Sequence, residues 1–80
     1  METQISINGT YRHYKGNLYR VLYVARDSDS LEETVVYMAL YSDPTFGEDT
    51  VWVRRSSEFR GTIQYEGKVL SRFTRMPDPD

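Results

Sequence analysis

Short apolar runs alternate with short polar segments along the chain from Gly9 to Phe73. The runs are rich in tyrosine, valine and leucine, and this content favours strands over helices. Gly16-Asn17 lies between the first two runs and predicts a hairpin, because glycine supplies the positive φ of tight turns. The pattern predicts strands at residues 10–15, 18–26, 34–42, 51–54, 62–65 and 68–73.

The second run predicts a strand that bends. Strict alternation places Tyr19, Val21 and Tyr23 on one face of this strand. Leu22 and Val24 then fall on the opposite face, so that both faces are apolar toward the end of the run. This predicts a bulge or a strong bend between Leu22 and Val24. Strands with such curvature are typical of small barrels.

The third and fourth runs supply the predicted core. Residues 35–41 carry no charged or amide side chain on either face, which predicts a central strand covered on both sides. Residues 51–54 place one large ring between two valines. We therefore expect Tyr37 and Trp52 to be core residues, because large rings give much buried area per ordered residue.

One helical turn is predicted before the last two strands. Residues 55–59 are too few for an ordinary helix, but they suit a single turn with Ser56 as N-cap, Glu58 in the first turn and Phe59 packed inward. Five or six short antiparallel strands with one such turn predict an all-β fold, and first an SH3-like barrel. The alternatives are an OB-fold, which usually needs a longer helix, and a small curved antiparallel sheet.

The 80 residues correspond to one small domain. We expect a flexible N-terminal arm at residues 1–8, the barrel at residues 9–75 and a disordered acidic tail at residues 76–80. The chain has no cysteine, so no disulfide supports its core. No apolar run approaches the roughly 20 residues of a membrane span, and the N-terminus is too polar for a signal peptide. We expect a cytoplasmic monomer that does not contact membranes.

The net charge of −2 conceals a segregation of charge. Residues 11–26 carry four basic and no acidic side chains, residues 27–50 carry seven acidic and no basic ones, and residues 51–76 carry six basic and two acidic ones. This pattern predicts a basic face beside an acidic rim. The alternative is the commoner arrangement, in which acids occupy solvated loops and basic residues protect strand edges from aggregation.

Residues that support catalysis or metal binding are few. His13 is the only imidazole and there is no cysteine, so the usual zinc ligand set is incomplete. The acids of residues 27–33 lack the spacing of an EF-hand loop, the glycines are scattered singly, and no serine lies in a nucleophile elbow. We assign no catalytic residue, no metal and no cofactor, and we expect a protein that is not an enzyme.

The remaining candidate site combines basic and aromatic side chains. Arginine and lysine bind phosphates, and exposed rings stack on bases, so the pattern indicates an anionic ligand such as nucleic acid or a phosphorylated or acidic group. A tyrosine-lined peptide groove of an adaptor protein is the second use of this chemistry, and a small-molecule enzyme that uses the lone histidine is the third. The candidate ligand-binding residues are Arg12, His13, Tyr14, Lys15, Asn17, Arg54 and Arg55.

The order of several short motifs resembles a family of small bacterial domains of unknown function. The family pattern reads G-x-Y-x-H-Y-K-G, V-V-Y, W-V-R and a closing R-F, and the resemblance implies a compact β-barrel-like domain without implying an activity. This chain departs from the pattern at Asp27, where relatives commonly have a second histidine, and at Arg55, where they commonly have proline. The pattern also includes a Y-x-V strand, matched by Tyr19 and Val21, and an aromatic residue after a short polar turn, matched by Phe59. The other matching residues are Gly9, Tyr11, His13, Tyr14, Lys15, Gly16, Val35, Val36, Tyr37, Trp52, Val53, Arg54, Arg72 and Phe73.

Overall fold

The computed structural model describes residues 4–77 and shows strands joined by tight turns, with one short helix. This confirms the predicted all-β fold class. The elements are β1 (Thr10–His13), β2 (Leu18–Arg26), β3 (Glu33–Ala39), β4 (Val51–Arg55), α1 (Ser56–Phe59), β5 (Thr62–Tyr65), β6 (Lys68–Ser71) and β7 (Phe73–Arg75).

The strands form a curled antiparallel sheet and a separate hairpin. The sheet has the order β4-β3-β2-β1-β7, and β5 pairs only with β6. Tyr37 of β3 and Phe73 of β7 are separated by two strands in this order, yet their ring centroids lie 5.5 Å apart. Since neighbouring strands alone are about 4.8 Å apart, this contact requires a sheet that curls around its core. The predicted barrel-like architecture is therefore confirmed.

The described part of the chain has seven strands, whereas the sequence predicted five or six. The predicted last strand, residues 68–73, is divided at Arg72 into β6 and β7. The Arg72 N–H donates to the Gly61 carbonyl at 3.0 Å, and the Arg72 carbonyl accepts from the Tyr14 N–H at 3.0 Å. These two bonds connect the hairpin to the turn after β1, so the chain changes sheets at this residue.

The predicted bend in β2 is present as a change of register. Val21 pairs with Tyr37, but Tyr23 pairs with Val36, so one residue of β2 is left without a directly opposed partner. This is the two-against-one arrangement of a β-bulge. Val21 is fully buried before the bulge, and Tyr23 is 66% exposed after it.

The core is formed mainly by aromatic rings and valines that face the concave side of the sheet. Tyr37 is buried, as predicted, but Trp52 is only partly buried and packs at the margin of this cluster. The reason is that β4 is an edge strand, where Trp52 packs against the exposed ring of Phe46, with ring centroids 5.6 Å apart. The buried cluster contains Tyr11, Val21, Val35, Tyr37, Phe59 and Phe73.

The helical turn lies where the sequence predicted it, but its cap differs. Ser56 is the first helical residue rather than the N-cap, which is Arg55 and makes no side-chain capping bond. The prediction was wrong because β4 continues through Arg55, which leaves Ser56 buried at the start of the turn. Glu58 lies in the first turn and Phe59 is 2% exposed, both as predicted.

The chain ends are attached to the sheet within the described residues. Ile5 packs against the core, the Asn8 N–H donates to the Val21 carbonyl at 2.8 Å, and the Met76 N–H donates to the Thr10 carbonyl at 2.9 Å. Residues 1–3 of the predicted arm and 78–80 of the predicted tail lie outside the described residues, and the domain bounds stay a prediction. No helix in residues 4–77 is long and apolar enough to cross a membrane.

The hairpin between β1 and β2 depends on Gly16. Its φ is +111°, its N–H donates to the His13 carbonyl at 2.7 Å, and a Cβ at this position would meet nothing within 4 Å. We expect Gly16→Ala to lower the free energy of unfolding by about 1–2 kcal/mol through backbone strain alone. Urea unfolding measures this loss, and Lys15→Ala, next to it and exposed, should change stability by less than about 0.5 kcal/mol. Equal stability of the two variants would contradict the role of Gly16.

Candidate functional site

His13 is the centre of the candidate site. It is the last residue of β1, lies opposite Phe73 in the register with β7, and is half-buried. Strand alternation places it on the same face as the buried Tyr11, which explains why its ring points toward other rings. The centroid of the imidazole lies 4.4 Å from that of Tyr14, 5.1 Å from that of Phe73 and 6.3 Å from that of Tyr19.

A hydrogen bond to the His13 ring defines which of its two nitrogens carries the proton. The Lys15 N–H donates to Nδ1 at 3.2 Å, so in the neutral ring the proton is on Nε2. Burial lowers the pKa of His13, and the positive charges of Arg54, Arg72 and Lys15 lower it further. The imidazole is therefore neutral at pH 7, and Nε2 is a donor for which no partner is found among residues 4–77.

Two arginines on different elements carry the positive charge near His13. Arg54 lies opposite the buried Val35 in the register of β4 with β3, so it shares the concave side of the sheet. Its side chain is 31% exposed and forms an ion pair with Glu58 at 3.4 Å. Arg72 occupies the corner between β6 and β7. The barrel therefore brings together basic residues that are 18 positions apart in the sequence.

The guanidinium Nε atoms of Arg54 and Arg72 are buried and have no hydrogen-bond partner in the described part of the chain. A buried donor without a partner costs roughly 1–3 kcal/mol, and more when the group is charged. Such groups call for an explanation, and a bound ion or ligand that accepts from them is one of the usual ones. The two arginines are thus suited to an anion that accepts from them.

A groove of about 410 Å³ begins beside His13. The Tyr14 ring at its end packs against Tyr65 at 5.2 Å, and the Lys15 Nζ lies 5.8 Å from the centre of the Tyr14 ring. Val69 and Leu70 of β6 contribute apolar side chains to its lining. The groove is lined by Arg12, His13, Tyr14, Val69, Leu70, Ser71, Thr74 and Met76.

Not all predicted ligand-binding residues face this region. Arg12 is exposed and lines the groove, but alternation along β1 turns it away from the face of His13. Arg55 faces away from the concave side and pairs with Glu32 at 3.2 Å. Asn17 is exposed in the turn, where its carbonyl accepts from the His13 N–H at 2.8 Å. The structure thus places His13, Tyr14 and Lys15 together and Arg54 within electrostatic range of them.

Two features of this region lie outside the residues that the sequence predicts for the site. The sequence marks Arg72 only as part of the closing R-F motif, because its proximity to His13 depends on a sheet change that no local pattern predicts. Tyr19 and Tyr41 share a hydrogen bond of 2.7 Å between their hydroxyls. Burial, followed by this bond, raises the pKa of Tyr19, so its hydroxyl stays protonated at neutral pH.

The acidic loop after β2 is organised by its own hydrogen bonds. Asp27 Oδ1 accepts from the N–H of Asp29 at 2.8 Å and from the N–H of Ser30 at 3.0 Å, and these bonds lower the pKa of Asp27. Its carboxylate therefore stabilises a turn. Within residues 4–77, no three His, Cys, Asp or Glu side chains form a group that could hold a metal ion.

Comparison with known proteins gives the family. No curated protein matches the chain. The crystal structure of a DUF1653 protein from Bordetella bronchiseptica is similar, with a TM-score of 0.78 and 28% sequence identity over 99% of this chain and 100% of the other. A family profile described as a protein of unknown function, DUF1653, matches residues 9–75. The match covers most of the chain, and the chain belongs to the DUF1653 family.

Proposed function

We propose that this domain is a binding module that recognises an anionic group, a phosphate of a nucleic acid or of a phosphorylated protein, through Arg54, Arg72 and His13. The observation that supports the proposal is the pair of buried guanidinium Nε atoms without partners beside a histidine whose pKa their charges lower. An oxyanion accepts from both arginines and from Nε2 of His13. The oxyanion gives the unpaired Nε donors a partner, and its negative charge offsets the repulsion between the two guanidinium groups.

The site binds its ligand locally rather than along an extended basic surface. The net charge is −2, and seven acids occupy residues 27–50, so a long-range attraction for polyanions is weak. Arg55 is also neutralised by Glu32. A small number of charge-assisted hydrogen bonds to one or two phosphates therefore accounts for binding better than non-specific contact with a nucleic-acid backbone.

Binding without catalysis fits the groups at the site. A general base needs a pKa near the working pH and a free nitrogen. The Nδ1 atom of His13 accepts from the Lys15 N–H, and burial, followed by nearby cations, lowers the pKa of the ring. Burial raises the pKa of Tyr19, whose ring lies 6.3 Å from that of His13, so its hydroxyl stays protonated. The arrangement favours donation of hydrogen bonds over acceptance of a proton.

The test is an NMR titration of the whole chain at low salt with a short single-stranded oligonucleotide and, separately, with a phosphorylated peptide. We expect chemical-shift changes at His13, Arg54 and Arg72 that weaken as salt rises, since salt screens the charges. The stronger of the two ligands identifies the source of the phosphate. Absence of shifts with both ligands, or shifts confined to the acidic loop at residues 27–33, would contradict the proposal.

A second candidate function is peptide binding. It is favoured by the groove beside His13, whose lining contains Val69, 64% exposed, the half-buried Leu70 and the ring of Tyr14. Apolar and aromatic walls suit an extended peptide. An unphosphorylated version of the same peptide tests this: equal shifts with both peptides, centred on Val69 and Leu70, would favour the groove over the anion site.

A further inference from the structure

The outer edge of β4 carries backbone groups that no other strand uses. Within residues 4–77, β4 is the first strand in the sheet order and pairs only with β3. The Ala39 N–H donates to the Thr50 carbonyl at 2.8 Å, which fixes the alternation of hydrogen bonds between the two strands. Trp52 and Arg54 therefore direct their N–H and C=O groups toward β3. The backbone N–H and C=O groups of residues 51, 53 and 55 therefore lie in the plane of the sheet and point away from β3, at the open edge.

Apolar side chains accompany this open edge. Val51 is 53% exposed and Val53 is 66% exposed, both on the convex side of the sheet. Val53 lies opposite Val36, which in turn lies opposite Tyr23, so an apolar row crosses three strands and ends at the edge. An apolar edge of this kind is a template for a further strand unless charges or bulges protect it. No bulge interrupts the register between β3 and β4.

The charges that flank β4 are of opposite sign at its two ends. Glu48 and Asp49 precede the strand, whereas Arg54 and Arg55 end it. An antiparallel partner with the same sequence places its basic end next to the acidic end of the first strand, and its acidic end next to the basic end. The charges of β4 are therefore complementary to those of an antiparallel copy of the same strand. A second copy of the chain can supply that strand.

We propose that β4 pairs with β4 of a second copy, antiparallel and centred on Val53, to form a symmetric dimer. Val53 of each copy faces Val53 of the other, and Val51 faces Arg55, which gives about six backbone hydrogen bonds across the two-fold axis. The basic end of β4 in one copy then lies beside the turn before β4 of the other, which carries Glu48 and Asp49. A two-fold contact of this type covers the open β4 edge of both copies, so the assembly closes as a dimer. The sequence alone led us to expect a monomer.

Sedimentation equilibrium of the whole chain between about 10 µM and 1 mM tests the dimer, a range that covers weak interfaces. We expect a concentration-dependent dimer that Val53→Lys weakens about tenfold or more, because like charges then face each other at the axis. Circular dichroism checks that the variant is folded. Val69→Lys is the matched control, since Val69 is 64% exposed but lies on β6, and it should leave the association unchanged.

A single cysteine tests the register. The chain contains no cysteine, so Val53→Cys has one thiol per copy. Hydrogen-bonded residues that face each other in an antiparallel pair have Cα atoms about 5.5 Å apart, which is within the range of a disulfide. We expect mild oxidation to link Val53→Cys chains much faster than Val69→Cys chains. A wild-type chain that stays monomeric throughout the range, or a dimer that neither variant at position 53 affects, would overturn the proposal.

Discussion

Phe59→Ala is expected to lower the free energy of unfolding by about 3–5 kcal/mol. Phe59 is 2% exposed and lies stacked on Phe73, with centroids 4.1 Å apart and ring planes at 9°. Its ring also meets Tyr11 at 5.2 Å and Tyr37 at 5.4 Å, edge to face. The helical turn that carries Phe59 thus closes the core from the side opposite the sheet, and truncation leaves a cavity among three other large rings.

A loss of this size is a large part of what holds the domain folded. Native domains are stable by roughly 0.05–0.15 kcal/mol per residue, and an 80-residue chain without disulfides has a small core to compensate with. We therefore expect Phe59→Ala to be partly unfolded even without denaturant. Phe59→Leu keeps most of the volume and should lose less than half as much stability.

Urea unfolding followed by circular dichroism measures the effect of Phe59→Ala. Phe46→Ala is the matched control, because Phe46 is 64% exposed and contacts only the margin of the core at Trp52. We expect its cost to be below about 1 kcal/mol. If the two variants lost similar amounts of stability, Phe59 would not be the residue that closes the core.

The sequence predicted the local elements well because their signals are local. Residues 18–26 form one strand as predicted, and the bend in it follows from apolar residues on both faces, which alternation alone reveals. Gly16 is a local signal too. Its positive φ depends on this one residue, because glycine adopts such a φ readily, and it marks the hairpin. These features require no knowledge of which strands become neighbours.

The features that the sequence did not reveal depend on contacts between distant segments. Nothing in residues 68–73 marks Arg72 as a corner, because the division follows from the position of β1, to which β7 pairs. The partial burial of Trp52 follows from the place of β4 at the edge of the sheet, which its own composition does not disclose. The candidate site also depends on contacts between distant segments. The single histidine is evident in the sequence, but its proximity to Arg72 follows from the fold.

Removal of either arginine charge near His13 is expected to raise the pKa of the imidazole and to weaken anion binding about tenfold or more. Arg54 and Arg72 both lower this pKa in the folded protein, after the larger effect of burial. Arg54→Gln and Arg72→Gln each remove one such charge and one charge-assisted hydrogen bond, which is typically worth about 1.5–3 kcal/mol. Arg20→Gln removes the same charge from the exposed outer side of β2 and is the control.

The direction in which stability depends on pH follows from the lowered pKa of His13, which burial and then the neighbouring charges cause. The folded pKa of His13 lies below its value of 6.5 in an unstructured chain, so the unfolded state takes up the proton first as the pH falls. The stability that His13 contributes is therefore complete above pH 6.5, and it is lost as the pH falls through the folded pKa. A bound anion reverses the trend, because it stabilises the imidazolium, raises the pKa of His13 and binds more tightly as the pH decreases.

NMR titration of the His13 ring protons measures these effects without ambiguity, since the chain contains one histidine. We expect the pKa of His13 to rise in Arg54→Gln and Arg72→Gln, to stay unchanged in Arg20→Gln, and to rise in the wild-type protein when phosphorylated peptide is added. A pKa that the ligand leaves unchanged while it binds elsewhere would remove His13 from the site. A pKa that neither arginine variant changes would show that burial alone sets it, and the two guanidinium groups would then be structural.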